Sequence, residues 1–138
     1  MNDDAKWRRI IRGIGRTFWH RTVSGKQIED YMSRQSRLDL EKVFDQYLRT
    51  TRIPVLEYRI DGRTLSYRWA NVVPGFDMPV KVALSPGAFS FIQPVERWLT
   101  SPLSLPRPED FRVDENFYIV AKDILKPAAD STAAPKAQ

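Results

Sequence analysis

Few residues in this sequence are suited to catalysis or metal binding. The 138 residues include no cysteine and a single histidine, His20. Without cysteine there can be no disulfide, no thiolate metal site and no cysteine nucleophile. One imidazole cannot form a two-histidine zinc motif, and a hydrolytic triad would depend on it alone. His20 follows Trp19 near the predicted C-terminal end of a helix. A positive charge at this end interacts favourably with the helix dipole, so we assign His20 a structural role.

The remaining polar motifs also lack the spacing of a reactive site. The acidic pairs at residues 3–4, 29–30 and 109–110 are typical of a helix cap, a helix surface and a loop. A Gly-x-Gly pattern at residues 13–15 lies inside a predicted helix, whereas a phosphate-binding loop precedes one. The sequence therefore assigns no catalytic, cofactor-binding or metal-binding residue.

The overall charge permits an anionic partner. The formal net charge is +5 and the isoelectric point is near 9.7. Arginine-rich surfaces of this kind can bind acidic proteins, lipid headgroups or nucleic acid. No apolar run approaches the roughly 20 residues of a membrane span, and residues 1–4 do not begin a secretory signal. We therefore expect a soluble protein, with the compartment left open.

Three helices are predicted in residues 1–53. The first, over residues 5–20, has an apolar stripe about 100° wide with arginines opposite. A capping box of Ser24 and Gln27 begins the second helix, which should end near Gln35. Asp39 is the predicted cap of the third. The apolar stripe of the first helix consists of Trp7, Ile10, Ile11, Ile14 and Phe18. The opposite face of this helix carries Arg8, Arg9, Arg12 and Arg16. The apolar stripe of the third helix consists of Leu40, Val43, Phe44, Tyr47 and Leu48.

The hydrophobic period changes to two after Pro54. Residues 54–70 predict a hairpin with a type I′ turn at Asp61-Gly62. In this register Ile60 lies opposite Arg63, Tyr58 opposite Leu65, and Leu56 opposite Tyr67, with Glu57, Arg59, Ser66 and Arg68 on the polar face. Further strands are predicted over residues 78–84, 88–92 and 116–120, and the prolines at 102, 106 and 108 indicate an irregular loop.

These elements predict an α+β fold. It consists of a helical segment over residues 1–53, a small antiparallel β-sheet or sandwich over 54–125, and a disordered tail over 126–138. The tail has no large apolar residue after Leu125 that could offset the entropy of ordering it.

Four stretches of the sequence carry a resemblance to a known family: "TVSGKQIEDYMS", "LDLEKVFDQYLRTTRIPVLEYRI", "LSYRWANVVPGFDMPVKV" and "FIQPVERWL". They resemble membrane alanyl aminopeptidase-type zinc metallopeptidases, where the thermolysin-like catalytic domain ends and a β-sandwich domain begins. The match spans residues 22–118. Its most diagnostic residues are Asp39, Phe44, Gln46, Tyr47, Ile53, Pro54, Leu56, Tyr58, Tyr67, Arg68, Trp69, Phe76, Asp77, Met78 and Pro79.

The family's catalytic motifs do not accompany this resemblance. Family members use an H-E-x-x-H helix, a downstream glutamate, a G-x-M-E-N loop and a tyrosine, and the first three motifs are absent from this sequence. Zinc cannot be held here in the family's way, so no catalytic residue is transferred, and the tyrosine role is assigned to neither Tyr31 nor Tyr47. The resemblance implies a non-catalytic C-terminal module or fragment. The complete family member would bind zinc and remove N-terminal amino acids from peptides.

The resemblance also implies partners. The apolar stripe of the first helix would be covered by the missing catalytic portion of a peptidase or by a second copy of the chain. The alternative function is an independent binding module that docks a protein or anionic partner. It would use the arginine-rich helix, or the sheet face with Glu57, Arg59 and Arg68. We expect neither nucleic acid nor a membrane surface as the partner. An enzyme that uses His20 or an unrecognised site is the third possibility.

Overall fold

The computed structural model describes residues 3–126 and has the predicted α+β architecture. Three helices come first: α1 (Asp4–Thr17), α2 (Gly25–Ser36) and α3 (Glu41–Arg49). Six strands follow: β1 (Val55–Asp61), β2 (Thr64–Ala70), β3 (Val80–Ser85), β4 (Ala88–Ile92), β5 (Leu99–Pro102) and β6 (Val120–Asp123), with a short 3-10 helix at Pro108–Asp110. The chain divides into two compact units, Met1–Thr51 and Arg52–Gln138. Apart from Lys126, the predicted tail lies outside the described residues.

The helix starts follow local capping interactions. The Asp3 side chain accepts a hydrogen bond from the backbone N–H of Lys6 at 2.9 Å and caps α1. Ser24 and Gln27 form both hydrogen bonds of the predicted capping box at the start of α2. The N-cap of α3 is Leu40, one residue after the predicted cap Asp39, whose Oδ1 still accepts a hydrogen bond from the Glu41 N–H at 3.1 Å. α1 ends at Thr17, three residues before the predicted end, and the chain turns at residues 18–20, where His20 has a φ of 53°.

Gly13 allows α1 and α2 to approach closely. A Cβ atom at this position would collide with the hydroxyl of Tyr31. The Tyr31 ring also meets Phe18 edge-on, with centroids 5.7 Å apart. Lys6 Nζ donates to the carbonyl oxygen of Ser36 at 2.8 Å, which links the opposite ends of the two helices. Within the apolar stripe of α1, Ile10 is buried but Ile11 is 61% exposed.

The β1–β2 hairpin forms, but its predicted register was wrong by two residues. Asp61 pairs with Thr64, so the turn is centred on Gly62 and Arg63. Of these, Gly62 has a positive φ (59°) and Arg63 does not, which fits a type II′ turn with glycine first. A shift of two residues preserves the face of every side chain. The apolar cross-strand pairs are Leu56 with Trp69, Tyr58 with Tyr67, and Ile60 with Leu65.

The strands form a four-stranded sheet, in the order β5-β2-β1-β6, and a two-stranded sheet of β3 and β4. β1 pairs with β6 in parallel, so the larger sheet is mixed rather than purely antiparallel. The predicted strand at 116–120 was misplaced, since β6 begins at Val120. The loop predicted from the prolines at 102, 106 and 108 is flanked by regular structure. β5 ends at the first of these prolines, and the 3-10 helix begins at the last. Buried side chains of this unit include Leu56, Leu65, Tyr67, Trp69, Phe76, Val80, Val82, Ile92, Leu103 and Phe111.

Candidate functional site

His20 lies on the surface after α1, beside an exposed tryptophan. Its ring meets Trp19 edge-on, with centroids 4.6 Å apart and planes at 80°. Trp19 is 70% exposed. Across residues 3–126, no group of three or more His, Asp and Glu side chains is arranged to hold a metal ion. The zinc implied by the resemblance therefore finds no fitting set of ligands in this part of the chain.

One residue of each acidic pair singled out in the sequence makes a contact with a residue three or four positions away. Asp3 caps α1, and Asp30 pairs with Lys26 one turn earlier in α2. Asp110 binds Arg107 at 3.1 Å. These carboxylates are thus distributed among separate elements.

Glu29 connects two helices. Its carboxylate accepts hydrogen bonds from the Arg49 guanidinium at 2.8 and 3.0 Å, which joins α2 to α3. Arg49 also reaches Asp45 at 3.0 Å within α3. The hydrogen bond to Glu29 is the main cause that raises the pKa of Arg49. Glu29 therefore positions a helix in this unit.

Four side chains meet on the polar face of the larger sheet, and we call them the sheet-face cluster: Glu57, Arg59, Arg68 and Trp98. Arg68 Nε donates to Glu57 Oε2 at 2.7 Å. The guanidinium carbons of Arg68 and Arg59 lie 4.9 and 5.3 Å from the centroid of the Trp98 ring. Arg59 belongs to β1, and β2 lies between β1 and β5, so its side chain must cross β2 to reach Trp98.

The sequence predicted three members of the sheet-face cluster but not the fourth. Alternation along the hairpin placed Glu57, Arg59 and Arg68 on one face. Trp98 lies far along the chain and reaches this face because β5 pairs with β2. Two arginines on one sheet face could have suggested a cation–π contact with an aromatic ring. No sequence spacing specifies which aromatic residue provides that ring.

The sheet-face cluster is largely charge-balanced. Glu57 pairs across the strands with Arg68 on one side and with Lys122 on the other. Asp61 shares this face at the end of β1. The arrangement can hold the chain before β5 against the sheet and leaves only a small excess of positive charge.

The helix α1 exposes a more strongly basic surface. We call it the α1 basic face; its four residues, all exposed, are Arg8, Arg9, Arg12 and Arg16. Within the part of the chain that the structure describes, none of the four forms an ion pair with a carboxylate. Ile11, on the same helix, and Trp19, just beyond the end of the helix, are both exposed. This surface combines exposed apolar groups with positive charge that no carboxylate of residues 3–126 pairs with.

The clefts of the β unit include two with volumes above 400 Å³. One, of about 460 Å³, is lined by Phe89 and residues 112–116. Another, of about 410 Å³, is lined by residues 75–77 and 95–97, where Glu96 Oε1 accepts a hydrogen bond from the Gly75 N–H at 3.0 Å. Glu96 thus stabilises the loop that forms the wall of the second cleft.

No family model matches this chain. A search of curated proteins likewise finds no matching protein. The aminopeptidase resemblance therefore rests on the residues quoted for it. No helix among the described residues is long and apolar enough to cross a membrane.

Proposed function

We propose that this chain is a non-catalytic C-terminal module or fragment of a zinc aminopeptidase-like protein, with a structural, domain-bridging role. The observation that carries the proposal is the order of the two units. A helical unit ends at Thr51 and a β unit begins at Arg52. The resemblance places the end of a catalytic domain and the start of a β-sandwich at this point of the sequence.

Residues that carry the resemblance have structural roles, which supports a non-catalytic module. Trp69 Nε1 donates to the carbonyl oxygen of Met78 at 3.2 Å, and the Trp69 ring meets Phe76 edge-on at 5.4 Å. Both aromatic side chains are buried. Large buried aromatic side chains dominate core energetics, so this motif stabilises the β unit.

The helical part of the resemblance has the same character. Asp39 binds a backbone N–H at the start of α3, and Gln46 is buried. A buried amide is retained where it is hydrogen-bonded, because an unsatisfied one is costly. Thr50 donates to the Gln46 carbonyl oxygen at 2.6 Å and closes the last turn of α3.

The proposed partner is the catalytic portion of a peptidase, which would cover the apolar side of α1. Ile11 is exposed on this helix, and Trp7, Ile14 and Phe18 are half-buried. If no catalytic portion is present, a second copy of the chain can bind the same surface. Gel filtration across a concentration range should then show self-association, which the replacement Ile11→Ser should weaken.

Reconstitution tests the proposed function directly. The DNA beside the coding sequence is read for a segment with H-E-x-x-H and a later glutamate, and that segment is co-expressed with this chain. We expect hydrolysis of aminoacyl arylamides when both are present, and neither stoichiometric zinc nor turnover with this chain alone. Zinc binding together with turnover by the chain alone would overturn the non-catalytic assignment. Failure to find or reconstitute a catalytic segment would remove the peptidase assignment.

A further inference from the structure

The arginines of α1 are arranged in a row. Arg8, Arg12 and Arg16 are spaced by four residues, so neighbouring guanidinium groups emanate from backbone positions about 6 Å apart along the helix. Arg9 lies on the same side, three residues before Arg12 and seven before Arg16. Like charges four residues apart destabilise a helix, so the row opposes the folding of α1.

Three arginines elsewhere in the protein are paired with carboxylates, unlike those of this surface. Arg49, Arg68 and Arg107 each bind a carboxylate within their own unit. The α1 basic face has no such partner among residues 3–126, although Asp4 belongs to the same helix. No carboxylate within residues 3–126 therefore neutralises the positive charge of this surface.

The apolar groups beside the row indicate the kind of ligand. Ile11 lies three residues after Arg8, so the two side chains are surface neighbours. Trp19 lies just beyond the last turn of α1 and is 70% exposed. Tryptophan and arginine are the residues most enriched in the energetic centres of protein interfaces.

A lipid surface fits these observations less well. An interfacial helix inserts a broad apolar face into the bilayer. In α1, Ile10 is buried and Trp7, Ile14 and Phe18 are half-buried, which leaves Ile11 as the exposed member of the stripe. Nucleic acid would use the arginines and could stack a base on Trp19, but it would gain little from Ile11.

We propose that the α1 basic face docks an acidic helical segment of a partner protein. Carboxylates four residues apart on the partner would match the spacing of Arg8, Arg12 and Arg16, and guanidinium–carboxylate pairs are geometrically specific. Ile11 and Trp19 would contact apolar groups at the edge of the same segment. The arginine row and Trp19 do not depend on the peptidase assignment, because they lie outside the apolar stripe proposed to contact the catalytic portion. Ile11 lies at the border of the two surfaces.

Two variants of equal charge test the proposal. The probe is a synthetic alanine-rich helical peptide with glutamates four residues apart, and binding is measured by fluorescence anisotropy. The test variant carries Arg8→Gln, Arg12→Gln and Arg16→Gln. The matched control carries Arg63→Gln, Arg97→Gln and Lys122→Gln, all exposed positions in the β unit. Glutamine is a good helix former, so α1 should stay folded in the test variant, which circular dichroism checks.

We expect the peptide to bind the natural chain and the control with affinities that agree to within about twofold. The test variant should bind at least about tenfold more weakly, because three charge-assisted contacts are lost. Equal losses in both variants would show an effect of net charge alone and overturn the proposal. Absence of binding to the natural chain would also overturn it. Tighter binding to phosphatidylglycerol vesicles or to single-stranded DNA, with the same dependence on α1, would replace the protein partner with that ligand.

Discussion

The indole Nε1 of Trp69 donates a hydrogen bond to the carbonyl oxygen of Met78 across 3.2 Å. Trp69 lies in β2, and Met78 precedes β3. One buried side chain thus connects the segments that belong to the two sheets. The Trp69 ring also packs against Phe76, which lies between these segments.

Replacement of this indole should lower the stability of the β unit. Trp69→Phe keeps an aromatic ring but leaves the Met78 carbonyl without this donor and creates a small cavity. We expect the free energy of unfolding to fall by about 2–4 kcal/mol, measured by urea denaturation. Trp98→Phe, at a half-buried tryptophan, is the matched control and should cost less. Equal losses at the two sites would contradict a special role for Trp69.

The two glycines inside α1 should respond in opposite ways to alanine. A Cβ at Gly15 meets nothing within 4 Å, so Gly15→Ala should raise the free energy of unfolding by about 0.5–1 kcal/mol through helix propensity. At Gly13 the new methyl group collides with the Tyr31 hydroxyl, so Gly13→Ala should give no gain or a loss. Thermal unfolding followed by circular dichroism measures both. A gain of the same size at Gly13 would show that α1 and α2 pack less closely than described.

Loss of the capping box should weaken α2. Ser24→Ala removes the acceptor for the Gln27 N–H and should lower the free energy of unfolding by about 1 kcal/mol. Ser24→Asp keeps an acceptor and should restore most of this stability. Thr22→Ala, just before the helix, is the control and should change little, since its side chain is exposed. Chemical denaturation of the natural chain and the three variants measures these changes. A Ser24→Asp variant as unstable as Ser24→Ala would contradict the capping role.

The Glu57–Arg68 ion pair should contribute measurable coupling. The side chains are 17% and 38% exposed, so solvent screens the pair only in part. A double-mutant cycle with Glu57→Gln and Arg68→Gln should give a coupling free energy of about 0.5–1 kcal/mol. Lys26 and Asp30, which are 76% and 56% exposed, provide the comparison and should couple by less than about 0.5 kcal/mol. A larger coupling free energy for Lys26 and Asp30 than for Glu57 and Arg68 would contradict the idea that partial burial strengthens the Glu57–Arg68 pair.

Tyr58 should make stability decrease at alkaline pH. Burial raises the pKa of Tyr58, and the Asp123 carboxylate raises it further, while Arg112 acts in the opposite direction. Because the folded state retains this proton, its stabilising effect is complete below about pH 10 and is lost as pH rises through the pKa of the folded state.

Comparison of unfolding midpoints from about pH 9 to about pH 11 measures this effect. The alkaline decline should be shallower in Tyr58→Phe than in the natural chain. Tyr118→Phe, at an exposed tyrosine, should leave the decline unchanged. An identical decline in all three proteins would show that Tyr58 does not cause it.

Local interactions explain why much of the secondary structure could be predicted. The capping box of Ser24 and Gln27 involves atoms three residues apart, and it forms as expected. β4 has the predicted bounds because its alternating pattern follows a turn at residues 85–87. The polar and apolar faces of the hairpin were also correct, since alternation alone assigns them.

Predictions that depended on backbone geometry or distant pairing were less accurate. The sequence did not show that Gly62 would be the first central residue of the turn, and this choice shifted the register by two residues. β6 pairs in parallel with β1, a contact between residues far apart in the chain, so the local pattern placed the strand too early. Gln46 is polar but buried, contrary to its apparent position in an amphipathic pattern.

The sequence by itself determined that three helices precede the strands, which residues share each face of the hairpin, and that the family's zinc motif is absent. Periodicity, capping residues and residue identity act over short distances, so they can be interpreted without a fold. Only the tertiary structure decided that Trp98 lies over Arg59 and Arg68 and that the α1 arginines find no carboxylate among residues 3–126. Such contacts depend on which distant segments pack together, and that is a property of the folded chain as a whole.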